Sequence, residues 1–205
     1  MAKPRVSLGG GPGIKELEAL FRAREMAAEP DVPGAGSPAG VFVLFAPGAR
    51  GPVVLLTRRS QHVAYHKGEV SFPGGAREPG DDGLLATALR ETVEELGVGA
   101  EEIEPWGGLS PVATSTGFAV MPFTGRLPAK ARLSPCPLEV DEVFEVPVSA
   151  LLDAACVRDI SVLEGDELRR RPAYAHEGRV VWGATAMILT EVLETIRDGV
   201  RPEGA

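Results

Sequence analysis

Ile14, Leu17 and the Leu20/Phe21 pair recur at helical spacing, so residues 14–28 read as one amphipathic helix. Residues 29–40 (EPDVPGAGSPAG) then form a Pro/Gly-rich linker. From Gly40 the period shortens. Val41–Phe45 and Val53–Thr57 are apolar runs on either side of APGARGP, the pattern of two strands joined by a loop. Trp106–Leu109, Ala119–Phe123, Val143–Val148, Val157–Leu163 and Val180–Trp182 are further strand candidates. Helical patterns cover Asp82–Leu96, the short Leu151–Ala155, and Ala184–Arg197, where Ile188, Val192 and Ile196 recur at i+4. Phe72-Pro73-Gly74-Gly75 reads as a turn. Strands and helices mix without a regular βαβ alternation, and no repeat is visible. The expected class is α/β (α+β), a mixed β-sheet flanked by helices. The expected division is a leader at 1–39, one domain at 40–198 and a tail at 199–205.

Length and charge narrow the function. The 205 residues suit one domain with a core of ordinary size. Lys and Arg number 21 against 29 Asp and Glu, a net charge of −8, and no basic cluster offers a face to nucleic acid or an anionic membrane. An anionic substrate stays open, because a cation held by carboxylates can attract it. Cys136 and Cys156 sit in no metal or redox pattern and read as ordinary thiols of a reducing compartment. The basic start lacks an apolar signal region, and no apolar run nears the roughly 18 residues of a membrane span. The expected location is cytoplasmic. Gly9–Gly13 (GGGPG) lacks the Gly-Lys-Ser/Thr of a phosphate loop and follows no strand.

The chemistry concentrates between Gly74 and Val98. Asp81 and Asp82 are candidate caps of the helix that follows, and Gly97 is a good residue to end it. At about 100° per residue, Glu94 lies near −60° and Glu95 near +40° from Glu91, so three carboxylates share an arc of roughly 100°. Arg90 sits beside that arc. Like charges at these spacings repel by a few tenths of a kcal/mol each. Acids in a last helical turn also oppose the macrodipole, by up to about 1 kcal/mol apiece. Local rules broken together mark a functional site. Hard oxygens on one patch suit Mg²⁺ or Mn²⁺ rather than zinc.

Arg90-Glu91-Thr92-Val93-Glu94-Glu95-Leu96-Gly97-Val98 resembles the REUxEExGU core of the Nudix box, with Gly75 as its upstream glycine. Asp81 or Asp82 stands where a glutamate is usual, the spacing to Arg90 is one residue longer, and Thr92 replaces an aliphatic residue. A second stretch, Leu55-Leu56-Thr57-Arg58-Arg59-Ser60 with Gly68 and Phe72-Pro73-Gly74-Gly75, is similar to the LLTxRSx3Rx3Gx3FPGG signature of coenzyme A pyrophosphatases. Its second arginine falls at Ala64; Lys67 is the nearby candidate to replace it, without an arginine's bidentate fork. Glu139–Pro147, Leu151–Asp153 and Trp182–Ala186 also resemble that subfamily.

The resemblance implies a Nudix-type α/β/α sandwich that hydrolyses a nucleoside diphosphate linked to another moiety. CoA or acyl-CoA would give 3′,5′-ADP and 4′-phosphopantetheine or its acyl form. ADP-ribose, NADH or dinucleoside polyphosphates are the alternative substrates, and a non-catalytic nucleotide-binding module is a further alternative. Glu91, Glu94, Glu95 and the Gly75 carbonyl would hold Mg²⁺ or Mn²⁺, with Arg90 fixing a glutamate. Glu139 is a candidate fourth ligand or base, with Glu142 as its rival, and the proton is assigned to no single residue. Arg58, Arg59 and Lys67 are the candidate substrate contacts. His62 and His66 read as surface or hydrogen-bonded residues rather than ligands, and Trp106 and Trp182 as core aromatics, with stacking of one of them on a base as the alternative. The N-terminal helix would either close a homodimer or cover one face of the sheet. The expected partner is a small nucleotide, with neither nucleic acid nor membrane.

Overall fold

The computed structural model describes residues 11–24, 36–63, 66–164 and 166–200. The chain runs through Ile14–Arg22 (α1), Ser37–Gly48 (β1), Gly51–Arg59 (β2), Val70–Ser71 (β3), Gly74–Ala76 (β4) and Gly83–Leu96 (α2). Glu104–Gly108 (β5), Val112–Ala113 (β6), Phe118–Arg126 (β7), Val140–Pro147 (β8) and Val148–Leu152 (α3) follow. Val157–Glu164 (β9), Glu167–His176 (β10), Arg179–Val181 (β11) and Gly183–Val200 (α4) complete it.

β1 is the axis of the main sheet. It pairs in parallel with β7 on one edge and antiparallel with β2 on the other. Both faces of the sheet are covered, which is why its apolar runs are continuous in sequence. Phe42 and Leu44 pack with Leu84, Ala88 and Leu96 of α2. Val43 and Phe45, one residue out of phase, pack against Leu17 and Phe21 of α1 and Leu189 and Leu193 of α4. Phe21, Phe45 and Trp106 stack in series at centroid distances of 5.5 and 5.6 Å. The amphipathic stripe of α1 thus covers a face of the sheet. The sequence places that helix over 14–28; it ends sooner, at Arg22 with Ala23 as its C-cap, and residues 25–28 lie outside the described ones.

The register of β1 and β2 makes the site. They pair only near their hairpin, from Phe45↔Val54 to Gly48↔Gly51. Beyond it another stretch takes each strand's edge: β3 pairs with Thr57 and Arg58, and β4 with Ala39–Val41. The Phe72–Gly75 stretch, expected as a turn, is divided: Phe72 and Pro73 link β3 to β4, where Gly74 and Gly75 already pair with β1, and the Phe42 N–H donates to the Pro73 carbonyl at 2.8 Å. β10 is absent from the sequence reading, because Glu167–His176 is too polar to show a strand period; it pairs with β9 and β11 in a separate three-stranded sheet.

Candidate active site

α2 ends beneath β4. Gly97, with φ of 65°, adopts the left-handed conformation that stops the helix, and its N–H donates to the Val93 carbonyl. The capping expectation is corrected at the other end. Asp82 is the N-cap but makes no side-chain cap bond. Asp81 instead turns to Arg90, accepting from Nε at 2.9 Å and Nη2 at 3.1 Å, and also accepts from the Glu78 N–H and the Thr87 hydroxyl. Of the two aspartates, Asp81 therefore stands opposite the box arginine. Thr92 is fully buried, and its hydroxyl is satisfied by the Ala88 carbonyl at 2.6 Å, so a β-branched hydroxyl residue fits the aliphatic position.

The three box glutamates part company. Glu95 is 3% exposed; its carboxylate accepts from the Gly74 N–H at 3.2 Å and meets Arg59 Nη1 at 3.4 Å. Glu91 sits against Gly75 so closely that a Cβ there would stand 2.5 Å from its oxygens, and a larger residue would push the carboxylate aside. Glu94 points outward, half exposed, to Arg90 Nη1 at 3.0 Å, and the same nitrogen lies 3.1 Å from Glu91. Helix geometry accounts for the split: Glu91 and Glu95 are one turn apart, and Glu94 is on the far side of Glu91.

Burial governs the titration. It pushes Glu95 up to about 7, against the opposing pull of Arg59 and the Gly74 N–H, with Glu91 and Glu139 adding repulsion. Glu91 is raised for the same first cause, with Arg90 opposing. Asp81 is held well below the usual carboxylate range, first by its hydrogen bonds from Arg90.

Glu91, Glu95, Gly75, Glu139 and Arg59 line one open cleft of about 1170 Å³. The neighbouring arginines separate at an irregularity in the β2–β8 register, where Arg58 faces Glu142 and Arg59 faces Val140. Such bulges re-aim side chains. Arg58 is not brought to the cleft; it pairs with Glu142 at 2.8 Å, and Arg179 binds the same carboxylate. Glu142, the rival of Glu139, is thereby held ionised by two arginines, first by Arg179. Lys67 is exposed and does not line the cleft, and Ala64 lies outside the described residues. His66 does line it, bonded to Glu69 at 2.9 Å and Thr116 at 3.3 Å. Trp106 is buried as expected, whereas Trp182 is a correction: it is 41% exposed and lines the cleft.

Sequence reasoning passed over Ser60. It is fully buried at the end of β2, donates its hydroxyl to the Leu138 carbonyl at 2.6 Å, and its N–H binds the Glu139 carbonyl at 2.9 Å. That pins the segment carrying Glu139 to the strand carrying Arg59. Its place inside the quoted signature was the available signal.

Among the described residues no three acidic, His or Cys side chains converge tightly enough to hold an ion alone. The donors are right in kind, hard oxygens on one wall, and Mg²⁺ commonly completes such a set with water and substrate phosphates.

The chain is similar to known proteins over most of its length. The NUDIX domain model matches residues 36–164. The chain is 36% identical over 146 residues to a protein of Photorhabdus laumondii subsp. laumondii described as an uncharacterized Nudix hydrolase, NudL, covering 71% of this chain and 78% of that one. NudL of Citrobacter koseri is 38% identical over 151 residues, covering 74% and 78%. A MutT/nudix family protein from Enterococcus faecalis shares the fold with a TM-score of 0.50 at 16% identity, over 91% of this chain and 70% of that one. Fold and relatives define the class: a hydrolase acting on phosphorus anhydrides. The chain belongs to the Nudix family, whose members generally need divalent metal ions. No helix among the described residues is long and apolar enough to cross a membrane.

Proposed function

We propose that this enzyme hydrolyses the pyrophosphate bond of CoA or acyl-CoA, giving 3′,5′-ADP and 4′-phosphopantetheine or its acyl form. One observation carries the reading. The two halves of the second signature, Leu55–Ser60 and Phe72–Gly75, meet around Glu95, which accepts from Gly74 and pairs with Arg59. Residues 40–198 are the proposed catalytic unit, acting in the cytoplasm on a small nucleotide.

Glu91 and Glu95, with the Gly75 carbonyl, would hold Mg²⁺ or Mn²⁺, and Glu94 would join from the rim. When bound, the ion neutralises charge on the pyrophosphate and acidifies water. The protein's own residues do the rest. Arg59, whose Nε is buried without a partner, offers the substrate phosphates a cation already on the cleft wall. Arg90 keeps Glu91 and Glu94 in place while Asp81 holds Arg90. Of the acids that line the cleft, Glu139 and Glu95 are the candidates to take a proton from the attacking water.

Incubation with CoA and Mg²⁺ or Mn²⁺, followed by chromatography, tests the reading: 3′,5′-ADP should appear and should vanish with chelator. Intact CoA alongside cleaved ADP-ribose or NADH would overturn it. Ala64 favours that second reading, because the signature's arginine is missing and exposed Lys67 does not line the cleft. Ala64→Arg should then raise kcat/KM for CoA relative to ADP-ribose, and an unchanged ratio would remove position 64 from substrate selection.

A further inference from the structure

The cleft has lining residues that the phosphate chemistry leaves unused. Besides the carboxylates and Arg59, the apolar side chains of Leu138, Val162, Leu163, Trp182 and Met187 line it. Four of these are large side chains left open to solvent: Leu138 67%, Leu163 66%, Trp182 41% and Met187 41%. Apolar groups gathered in a concavity and kept in water mark a binding surface.

The wall is built. Val162 and Leu163 lie on β9, which pairs with β10 from Val157↔Tyr174 to Glu164↔Glu167. The base of this arm is fixed to the body: the Tyr174 hydroxyl meets Thr190 of α4 at 2.8 Å. Arg179 lies 4.6 Å over the Phe144 ring and binds Glu142. Thr185, between Trp182 and Met187, donates to the Val70 carbonyl at 3.2 Å, tying the start of α4 to β3. Both halves of the wall are therefore anchored beside the strands that carry Arg59 and Gly74.

We propose that this wall receives the hydrocarbon chain of an acyl-CoA and makes chain length a determinant of specificity. The inference rests on the CoA reading and deepens it. In acyl-CoA the pyrophosphate lies between the 3′-phosphoadenosine and the pantetheine arm, so a ligand held there by Arg59 and the carboxylates sends one of these two ends along the rest of the cleft. Four of the five wall residues are aliphatic or thioether side chains with no donor or acceptor to read a base edge, which matches a methylene chain. Each methylene moved from water onto such a wall is worth up to about fourfold in affinity when fully buried, and about twofold when half buried.

The test is a chain-length series: free CoA, acetyl-, hexanoyl- and decanoyl-CoA, with Mn²⁺, for the wild type and for Leu163→Ser and Met187→Ser. The wild type should gain about twofold in kcat/KM per methylene over part of the series, mainly through KM. The substitutions should flatten that slope at least by half. In chelator, where nothing turns over, decanoyl-CoA should perturb Trp182 fluorescence of the wild type more than CoA does, a readout independent of how well the variants fold. CoA cleaved with no dependence on chain length, a slope unchanged in both variants, or equal fluorescence responses would overturn the wall while leaving the CoA reading standing. No cleavage of any CoA species, with another nucleotide cleaved, would remove that reading and the wall with it.

Discussion

Two arginine–carboxylate pairs each take one member from α2, and they behave oppositely. Asp81 receives two bonds from Arg90, at 2.9 and 3.1 Å, together with the Glu78 N–H and the Thr87 hydroxyl. Its charge is fully solvated by protein, and its pKa falls far below the ordinary range. Glu95 has one long contact to Arg59, at 3.4 Å, and a single N–H. There burial outweighs both partners, and its pKa rises to about 7. Proximity of an arginine does not decide the state of an acid; the number and geometry of donors weighed against desolvation does. Asp81 is a fixed anchor, and Glu95 is an acid left short of compensating charge at the end of a cleft.

The largest test removes the second partner. Glu95→Gln should lower kcat by about 10³-fold while the protein stays folded. Its stability profile should also change. In chelator, between pH 4.5 and about 7, folded Glu95 keeps a proton that the unfolded chain releases. Its stabilising contribution is complete below pH 4.5 and is lost as pH rises through about 7. A shift of that size is worth about 3 kcal/mol, so urea midpoints of the wild type should fall across this window and those of Glu95→Gln should stay flatter. Glu91, raised in the same direction, adds to the wild-type trend. Parallel profiles would mean that the two pairs do not differ as described.

Asp81→Asn attacks the other pair. Arg90 keeps its contacts to Glu91 and Glu94 but loses the carboxylate that orients it, and kcat/KM should fall about 10- to 100-fold. The acid limb is the sharper readout. A carboxylate of depressed pKa stabilises above its unfolded value, and that stability is lost as pH falls through the folded one. Asp81→Asn should therefore reduce the additional destabilisation of the wild type below about pH 4, measured as thermal midpoint against pH. An unchanged acid limb would show that Asp81 is not held ionised by Arg90.

Ser60→Ala comes next in size. The change strips a buried hydroxyl that donates to the Leu138 carbonyl and accepts from the His62 N–H at 3.0 Å. Leaving those groups unpaired costs about 1–3 kcal/mol. Because this pin holds the segment bearing Glu139, kcat should fall by about tenfold while Ser60→Thr, which keeps the hydroxyl, recovers part of it. Equal loss in both would assign Ser60 to packing alone.

How far these features could be read in sequence depended on where the interaction partners lie. The two-sided burial of Val41–Phe45 and Val53–Thr57 showed because both faces are apolar. The arc of Glu91, Glu94 and Glu95 followed from helix geometry. The division within that arc did not, because it depends on β4 lying over one side of α2 and on Arg90 lying on the other. Arg58 and Arg59 look equivalent along the chain; a shift in the pairing with β8 sends them to different partners. The β9–β10 arm was half visible, since β9 carries an apolar run while Arg169, Arg170 and Arg171 mask the strand period of β10. Asp81 and Asp82 could not be told apart, because the choice is made by a bond to a side chain nine residues on.

The smallest expected effect separates neighbours that the motif treats alike. Glu94 is half exposed and shares Arg90 with Asp81 and Glu91, so removing its charge leaves the arginine still paired. An exposed ion pair of this kind contributes about 0–1 kcal/mol, and Glu94→Gln should shift the thermal midpoint little and leave its pH dependence unchanged. Its activity should fall less than that of Glu95→Gln, by about tenfold rather than 10³-fold, and higher Mn²⁺ should restore part of it if Glu94 only joins the ion from the rim. A loss as deep as that of Glu95→Gln, unrelieved by added metal, would mean that Glu94 turns from Arg90 into the cleft during turnover, and that the outward and inward acids of α2 work as one set.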